Sequence, residues 1–312
     1  MYYEFFGLKK NPFSPNPDPR FLFFTPQVKE ALACLYYGIQ SRRGFVLLTG
    51  EVGTGKTTVI HKLFEALRTL HVATAFVFNS RLDTDQFLDF IMADFGIACE
   101  SRMKSQILLR LNEWLLARYR AGKSAVLIVD EAQNLSNEML EEIRLLTNLE
   151  TSTAKLLQIV LVGQPELEYK LKQPELRQLL QRITLRAKTH SLSLQDTEKY
   201  ILQRLHLAGA NGQKIFEEGA TPSVHEFSQG IPRLINLLCD HSLINAFALQ
   251  QKVVSADMVR QVAQDFELDP VPAAPGAEKG GFVGIRETMQ LRTALAERTR
   301  RTEQQPLAER KI

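Results

Sequence analysis

Cysteine is scarce. Cys34, Cys99 and Cys239 are the only three in 312 residues, and they stand far apart. An odd number without paired spacing excludes a disulfide framework and a zinc-ligand pattern. The three read as ordinary thiols of a reducing cytoplasm. Long hydrophobic runs are also missing. Stretches such as LLQIVLVG, ending at Gly163, are far too short to cross a bilayer, so no transmembrane segment is expected. The amino terminus, MYYEFFGLKKNPF, has no leading positive charge ahead of an apolar core, so no signal peptide is expected. Neither sign of charge dominates either: 38 lysines and arginines stand against 35 aspartates and glutamates. Net charge is +3 and the isoelectric point about 8.7, which permits contact with nucleic acid or an anionic membrane and demands neither. The six histidines show no ligand spacing; His190, His206, His225 and His241 read as surface or packing residues. The single tryptophan, Trp114, lies on an amphipathic stretch and reads as core. No internal repeat is found.

What is present is a globular balance, 45% hydrophobic and 23% charged, sufficient for one large domain or two modest ones. Residues 1–44 are rich in proline and aromatics (NPFSPNPDPRFLFF). Prolines at that density forbid a regular helix or a central strand. Phe5, Phe6, Phe13, Phe21, Phe23 and Phe24 are too apolar for a free linker, so an extended arm packed on the domain is expected, followed by a helix that stops at Gly44. From Phe45 short apolar runs alternate with helical stretches: FVLL, ATAFVFN, SAVLIVDEA, LLQIVLVG and ITLRAKTHSL. Helices are expected to Leu70, over Asp85 to Phe95, over Lys104 to Ala121, and from a cap at Ser136. This alternation predicts a parallel sheet covered on both faces, over 45–190. After Ser191 the strands stop and an all-helical unit, 191–267, is expected. Thr221 with Pro222 reads there as a cap and first helical position, and Ser255 as a second cap. Residues 268–312 read as a flexible charged tail, with a short helix around Thr288 to Arg298.

The chemistry concentrates at the ends of the apolar runs. Gly50-Glu51-Val52-Gly53-Thr54-Gly55-Lys56-Thr57, continued by Thr58, has the full phosphate-loop spacing between a strand and a helix. Its backbone N–H groups close around phosphates, Lys56 reaches the β and γ oxygens, and Thr57 can ligate Mg²⁺. Asp130 and Glu131 end the third run. Two carboxylates there are costly without a cation or a proton-transfer task. Asp130 suits the Mg²⁺ shell, and Glu131 suits orientation of an attacking water. Asn79 closes the second run, as a holder of Glu131 or as a plain turn residue. Gln164 closes the fourth, where an amide can bridge γ-phosphate and water. Arg233 starts a helix, against the dipole, which is unfavourable unless an anion sits there. Arg182 precedes the fifth strand and could reach a neighbour's site or form a surface ion pair; Arg177 is a weaker candidate.

In this order the phosphate loop, VDEAQ, VGQPEL, LLQRI and SQGIPR resemble an AAA+ ATPase, and more narrowly the ExeA/GspA-type secretion ATPases with the MshM-like pilus-assembly ATPases. The amino-terminal pattern Phe6-Gly-Leu, Pro12-Phe13, Pro17-Asp-Pro19, Phe21, Glu30-Ala-Leu32, Tyr37-Gly-Ile39 and Gly44-Phe45 follows the same branch, and the likeness covers Met1 to Phe266. The resemblance implies a three-layer αβα P-loop core with a smaller helical lid. It implies ATP and Mg²⁺ as ligands, and assembly into a homo-oligomeric ring or filament. It places Lys56 and Thr57 in Walker A, Asp130 and Glu131 in Walker B, Gln164 at sensor 1, Arg182 as a trans-acting finger and Arg233 at sensor 2. Val28 stands where the branch often has His, and Gly219 and Pro222 interrupt the lid. The ExeA-type proteins continue into a membrane helix and a periplasmic peptidoglycan-binding domain. This sequence runs into a charged tail, so direct cell-wall binding is not expected of it.

The function implied is an ATPase of the cytoplasm, or of the periphery of the inner membrane, acting on a protein client of an envelope system: secretion, pilus or polysaccharide export. The alternative is a DNA-binding regulator of transposition similar to TnsC or TniB, with the Arg-rich tail from Arg286 on phosphates. The nearly balanced charge favours the first. A nucleotide switch with little turnover is the third reading, and Glu131 counts against it.

Overall fold

A computed structural model describes residues 2–78, 82–101, 103–210 and 212–270. They belong to one compact unit, Met1–Val271. Asn79, the tail beyond residue 270 and the helix expected near Thr288 lie outside the described residues.

The chain opens with a short helix α1 (Tyr2–Phe5), a 3-10 turn (Pro19–Phe21) and helix α2 (Pro26–Gln40). Thr25 caps α2, its Oγ1 accepting from Val28 N at 3.1 Å, with Pro26 in the first position. The helix ends four residues before Gly44, because Arg42 turns into a left-handed conformation (φ 50°). Then come β1 (Phe45–Thr49), α3 (Lys56–Thr69), β2 (Ala73–Val77), α4 (Thr84–Asp94), α5 (Lys104–Arg120), β3 (Ala125–Val129) and α6 (Asn137–Leu146). β4 (Leu157–Gly163), α7 (Pro165–Leu171), α8 (Arg177–Arg182) and β5 (Ile183–Lys188) complete the sheet. The five strands are parallel, in the order β2-β3-β4-β1-β5.

The three inner strands are buried along their whole length. That is why they read as apolar runs, interrupted only by Gln158 of β4, whose Oε1 accepts from Gly44 N at 2.9 Å. Side chains alternate between the faces. Phe45, Leu47, Leu127, Val129, Ile159 and Leu161 pack under α4 to α8, and Val46, Leu48, Val126, Ile128, Val160 and Val162 pack under α2 and α3. Register decides where the chemistry lies. Thr49 pairs with Gly163, and Val129 with Leu161. The loops that follow β1, β3 and β4 therefore leave the sheet side by side, carrying Gly50, Asp130 and Gln164.

The helical part comprises α9 (Leu194–Leu207), α10 (Ala220–Ser228), α11 (Pro232–Ala248) and α12 (Ala256–Asp265). Ser255 caps α12 through Met258 N. Helix α10 begins one residue before Thr221, so Thr221 is not its cap. Pro222 falls in the first turn, where an N–H has no partner within the helix to lose. The arm packs on the helical part: Phe6, Leu8 and Phe13 are core residues of the helical cluster. Lys9 N donates to Ala208 O at 2.8 Å, and Arg204 Nε to Pro12 O at 2.7 Å. Phe24 stays 45% exposed.

Candidate nucleotide site

The loop after β1 wraps its own lysine. Lys56 opens α3 and is buried; its Nζ donates to Gly50 O at 2.7 Å and Glu51 O at 3.0 Å. Burial pulls the Lys56 ammonium below its ordinary range, and the charges of Glu131, Asp130, Glu51 and Glu166 act the other way. Thr54 Oγ1 ties the loop to Glu51 O and to Thr189 Oγ1, both at 2.7 Å. A side chain at Gly50 would stand 1.9 Å from Thr189 Oγ1. Gly53 has φ +80°, and a Cβ there would meet Arg233 Cβ at 2.7 Å. Its carbonyl accepts from Arg233 N at 3.2 Å. Loop and helical part are thus in direct contact, and only glycine fits between them. Gly55 precedes the helix without a side-chain cap, which leaves the first-turn N–H groups of α3 for an anion.

Asp130 and Glu131 follow β3. Burial pushes the Asp130 carboxyl above the usual carboxylate range; the N–H of Glu131, donating at 2.9 Å, and Lys56 oppose this, while the charge of Glu131 adds to it. Because its folded pKa is raised, Asp130 favours the fold when protonated and costs stability once pH rises through that pKa. Asp130→Asn therefore raises the ligand-free melting temperature at pH 7, by about 2 °C. The gain shrinks as pH falls towards about 4, the ordinary carboxylate value. Scanning calorimetry across that range checks it; a lowered melting temperature at pH 7 contradicts it.

Glu131 has φ +51°, a left-handed conformation that non-glycine residues avoid. Its Oε2 accepts from Gln133 Nε2 at 2.5 Å and Gln164 Nε2 at 3.3 Å. Gln133 Oε1 in turn accepts from Gln164 N at 3.1 Å. Two amides hold one carboxylate oxygen, and Glu131 lines the cavity in front of the loop. Gln133 was not singled out in the sequence. Its signal was present: an amide two residues beyond an acid that ends a buried strand.

The cavity measures about 650 Å³, within the range of small-molecule sites. The loop from Val52 to Val59 forms its floor, with Thr57 and Thr58 on it. Glu131 and Arg233 flank the floor, and the arm from Ser14 to Asp18 closes another side. The arm is anchored there by Pro17 O, 3.2 Å from His61 Nδ1. Arg233, the second residue of α11, has no ion pair with another described residue. Asp130 and Gln164 stand behind Glu131, joined to it by the bonds above. Arg182 is elsewhere. Its Nη1 donates to Thr147 Oγ1 at 2.5 Å, Asn148 Oδ1 at 2.9 Å and Arg144 O at 3.3 Å, at the carboxyl end of α6. Arg177 is exposed on α8. Among the described residues no trio of His, Cys, Asp or Glu could hold a metal. A cation beside Thr57 and Asp130 would take its remaining ligands from phosphate and water, the habit of Mg²⁺.

Residues 39–171 match the family model described as an AAA domain. General secretion pathway protein A of Aeromonas hydrophila is 48% identical over 260 residues, 83% of this chain and 47% of that protein. The chain therefore spans about half the length of that relative. Among solved structures, Cdc6p from Pyrobaculum aerophilum superposes with a TM-score of 0.65 at 20% identity, over 81% of this chain and 70% of that one. The ORC2 protein of Aeropyrum pernix, solved as ADPNP-ADP complexes, gives 0.60 at 18% identity, over 82% and 72%. At these identities the two structures share the fold.

Proposed function

The chain belongs to the AAA+ ATPase family, in the branch of general secretion pathway protein A, and from that premise we propose that it binds ATP with Mg²⁺ and hydrolyses it. The observation that carries this reading is Glu131, held by two amides beside the phosphate loop. The polyphosphate lies on the loop N–H groups and the start of α3. Lys56 exchanges the carbonyls of Gly50 and Glu51 for the β and γ oxygens. Thr57 and Asp130 would hold Mg²⁺, which when bound would neutralise the negative charge that develops during transfer. Glu131 orients a water and accepts its proton as that water attacks the γ phosphorus and the bond to the β–γ bridging oxygen breaks. Gln164 links Glu131 to the γ-phosphate position. Arg233 carries the nucleotide state into α11. Arg182 acts from a neighbouring copy in a ring or filament. The αβ part over 45–190 serves as the ATPase core, and 191–267 as its lid.

The client belongs to an envelope assembly system, as the name of the Aeromonas relative suggests. The protein works in the cytoplasm, at or near the inner membrane. Among the described residues no helix is long and apolar enough to cross a membrane. Affinity capture of the Glu131→Gln chain with ATP, from the native host, is expected to retain secretion, pilus or polysaccharide-export components. Recovery of DNA-recombination proteins alone, with ATP-dependent retention of duplex DNA in a gel shift at physiological salt, would replace this reading by the transposition regulator.

A further inference from the structure

Three helices end where β1, β2 and β3 begin, at the opposite end of the sheet from the cavity. The turn after α2 carries Arg42 and Arg43, the end of α3 carries Arg68, and the end of α5 carries Arg118, Arg120 and Lys123. These turns touch. Arg42 Nη2 donates to Lys123 O at 3.1 Å, and its guanidinium lies 4.7 Å from the centre of the Tyr119 ring. Arg118 Nη2 donates to His71 O at 3.0 Å and Ser124 O at 3.2 Å. None of the six cations has an ion pair with another described residue. In the turns 41–44, 68–72, 118–124 and 149–155 the single carboxylate is Glu150, which Lys155 occupies. Helix carboxyl ends favour nearby cations, and six gather here at three of them.

Apolar surface adjoins this charge. A groove of about 500 Å³ runs between α2 and α3, lined by Phe24, Leu32, Tyr36, Leu63, Ala66 and Thr69 together with the Lys62–Glu65 ion pair (2.6 Å). It reaches the basic end, because Thr69 is the last residue of α3 and Tyr36 lies one turn before the end of α2. Next in sequence to the lining residues Thr69 and Tyr36, Leu70 is 41% exposed and Tyr37 49%. Arg43 donates to Tyr37 Oη at 3.0 Å, so cation and ring are held together.

We propose that this end of the protein docks on a bilayer containing anionic lipid. The arginines take headgroup phosphates, while Leu70, Tyr37 and the groove take the apolar part beneath them. A nucleic-acid duplex offers the same phosphates but nothing to fill an apolar groove, and so it matches only half of the surface. Docking there leaves the nucleotide cavity free. The inference goes beyond the proposed ATPase and does not depend on it.

The test is flotation of the full chain with vesicles of phosphatidylglycerol and phosphatidylcholine, compared with phosphatidylcholine alone. Binding is expected only to the anionic vesicles, weakening as salt rises. Each cation near such a surface is worth about fivefold in partitioning, so Arg43→Gln with Arg120→Gln lowers it by roughly 30-fold. Leu70→Ser lowers it separately. All three side chains are exposed, and unchanged circular dichroism and melting temperature verify that the variants fold. Absence of binding to anionic vesicles at low salt, or binding indifferent to the double substitution, overturns the proposal. So does tighter retention of duplex DNA than of vesicles, lost in the same double variant.

Discussion

Glu131→Gln lowers ATP turnover by about a thousandfold and leaves ATP bound. A placed general base is worth about 10² to 10⁴ in rate. Gln keeps the shape and a hydrogen-bonding oxygen but cannot accept the proton, so the loss falls on kcat while the loop and Lys56 still hold the phosphates. The two amides give the result a second dimension. Gln133 and Gln164 both donate to Oε2, so Gln133→Ala frees the carboxylate without removing it and slows turnover by about tenfold, the scale of a single lost hydrogen bond. In a chain already carrying Glu131→Gln the same change has nothing further to misplace, and the two losses do not add. Steady-state phosphate release and fluorescent-nucleotide binding measure both. A Glu131→Gln chain that hydrolyses normally contradicts the assignment of the base. Losses that add contradict only the role of Gln133.

Arg182→Ala slows turnover by about a thousandfold where chains are assembled, the lower end of what an arginine finger contributes. In a single chain Arg182 is half-buried, and only Nη1 has partners, all at the end of α6. Nε and Nη2 make no hydrogen bond with another described residue. The side chain is thus placed on the surface away from its own cavity, with half of its fork left for an outside anion. Losing the α6 contacts costs about 1 kcal/mol, so the melting temperature drops by a few degrees and must be followed alongside the rate. Two readouts separate catalysis in trans from that structural loss. Activity per chain rises with protein concentration. Mixing Arg182→Ala chains with Glu131→Gln chains restores activity, because some interfaces then join an intact base to an intact finger. Rates independent of concentration, with no rescue on mixing, contradict the finger.

The sequence expressed the sheet well because the inner strands are buried on both faces. No polar residue interrupts FVLL or AVLIV, and the parallel register then delivers the phosphate loop, Asp130 and Gln164 to one edge. Caps at Ser136 and Ser255 were legible because they are local hydrogen bonds. Long-range packing was not. Nothing periodic in the arm tells that Phe6 and Phe13 belong to the helical cluster and not to the sheet. Thr221 followed by Pro222 looks like a cap and helix start, yet α10 begins at Ala220, two residues before Pro222. Arg233 was read from its unfavourable place at a helix start. Its contact with Gly53 explains a second glycine of the loop, which spacing alone attributes only to phosphate. Gln133 escaped notice because its partners, Glu131 and Gln164, meet only once β3 and β4 lie side by side.

Every role proposed for the site requires that the cavity in front of Lys56 turn over ATP. The most direct measurement of that turnover is phosphate release by the full chain over a range of ATP, with and without Mg²⁺, beside the Lys56→Ala chain. The expected result is saturable release that requires Mg²⁺ and disappears with Lys56, together with loss of ATP binding. Release that persists unchanged in Lys56→Ala, or an intact chain that binds no ATP, would contradict the account.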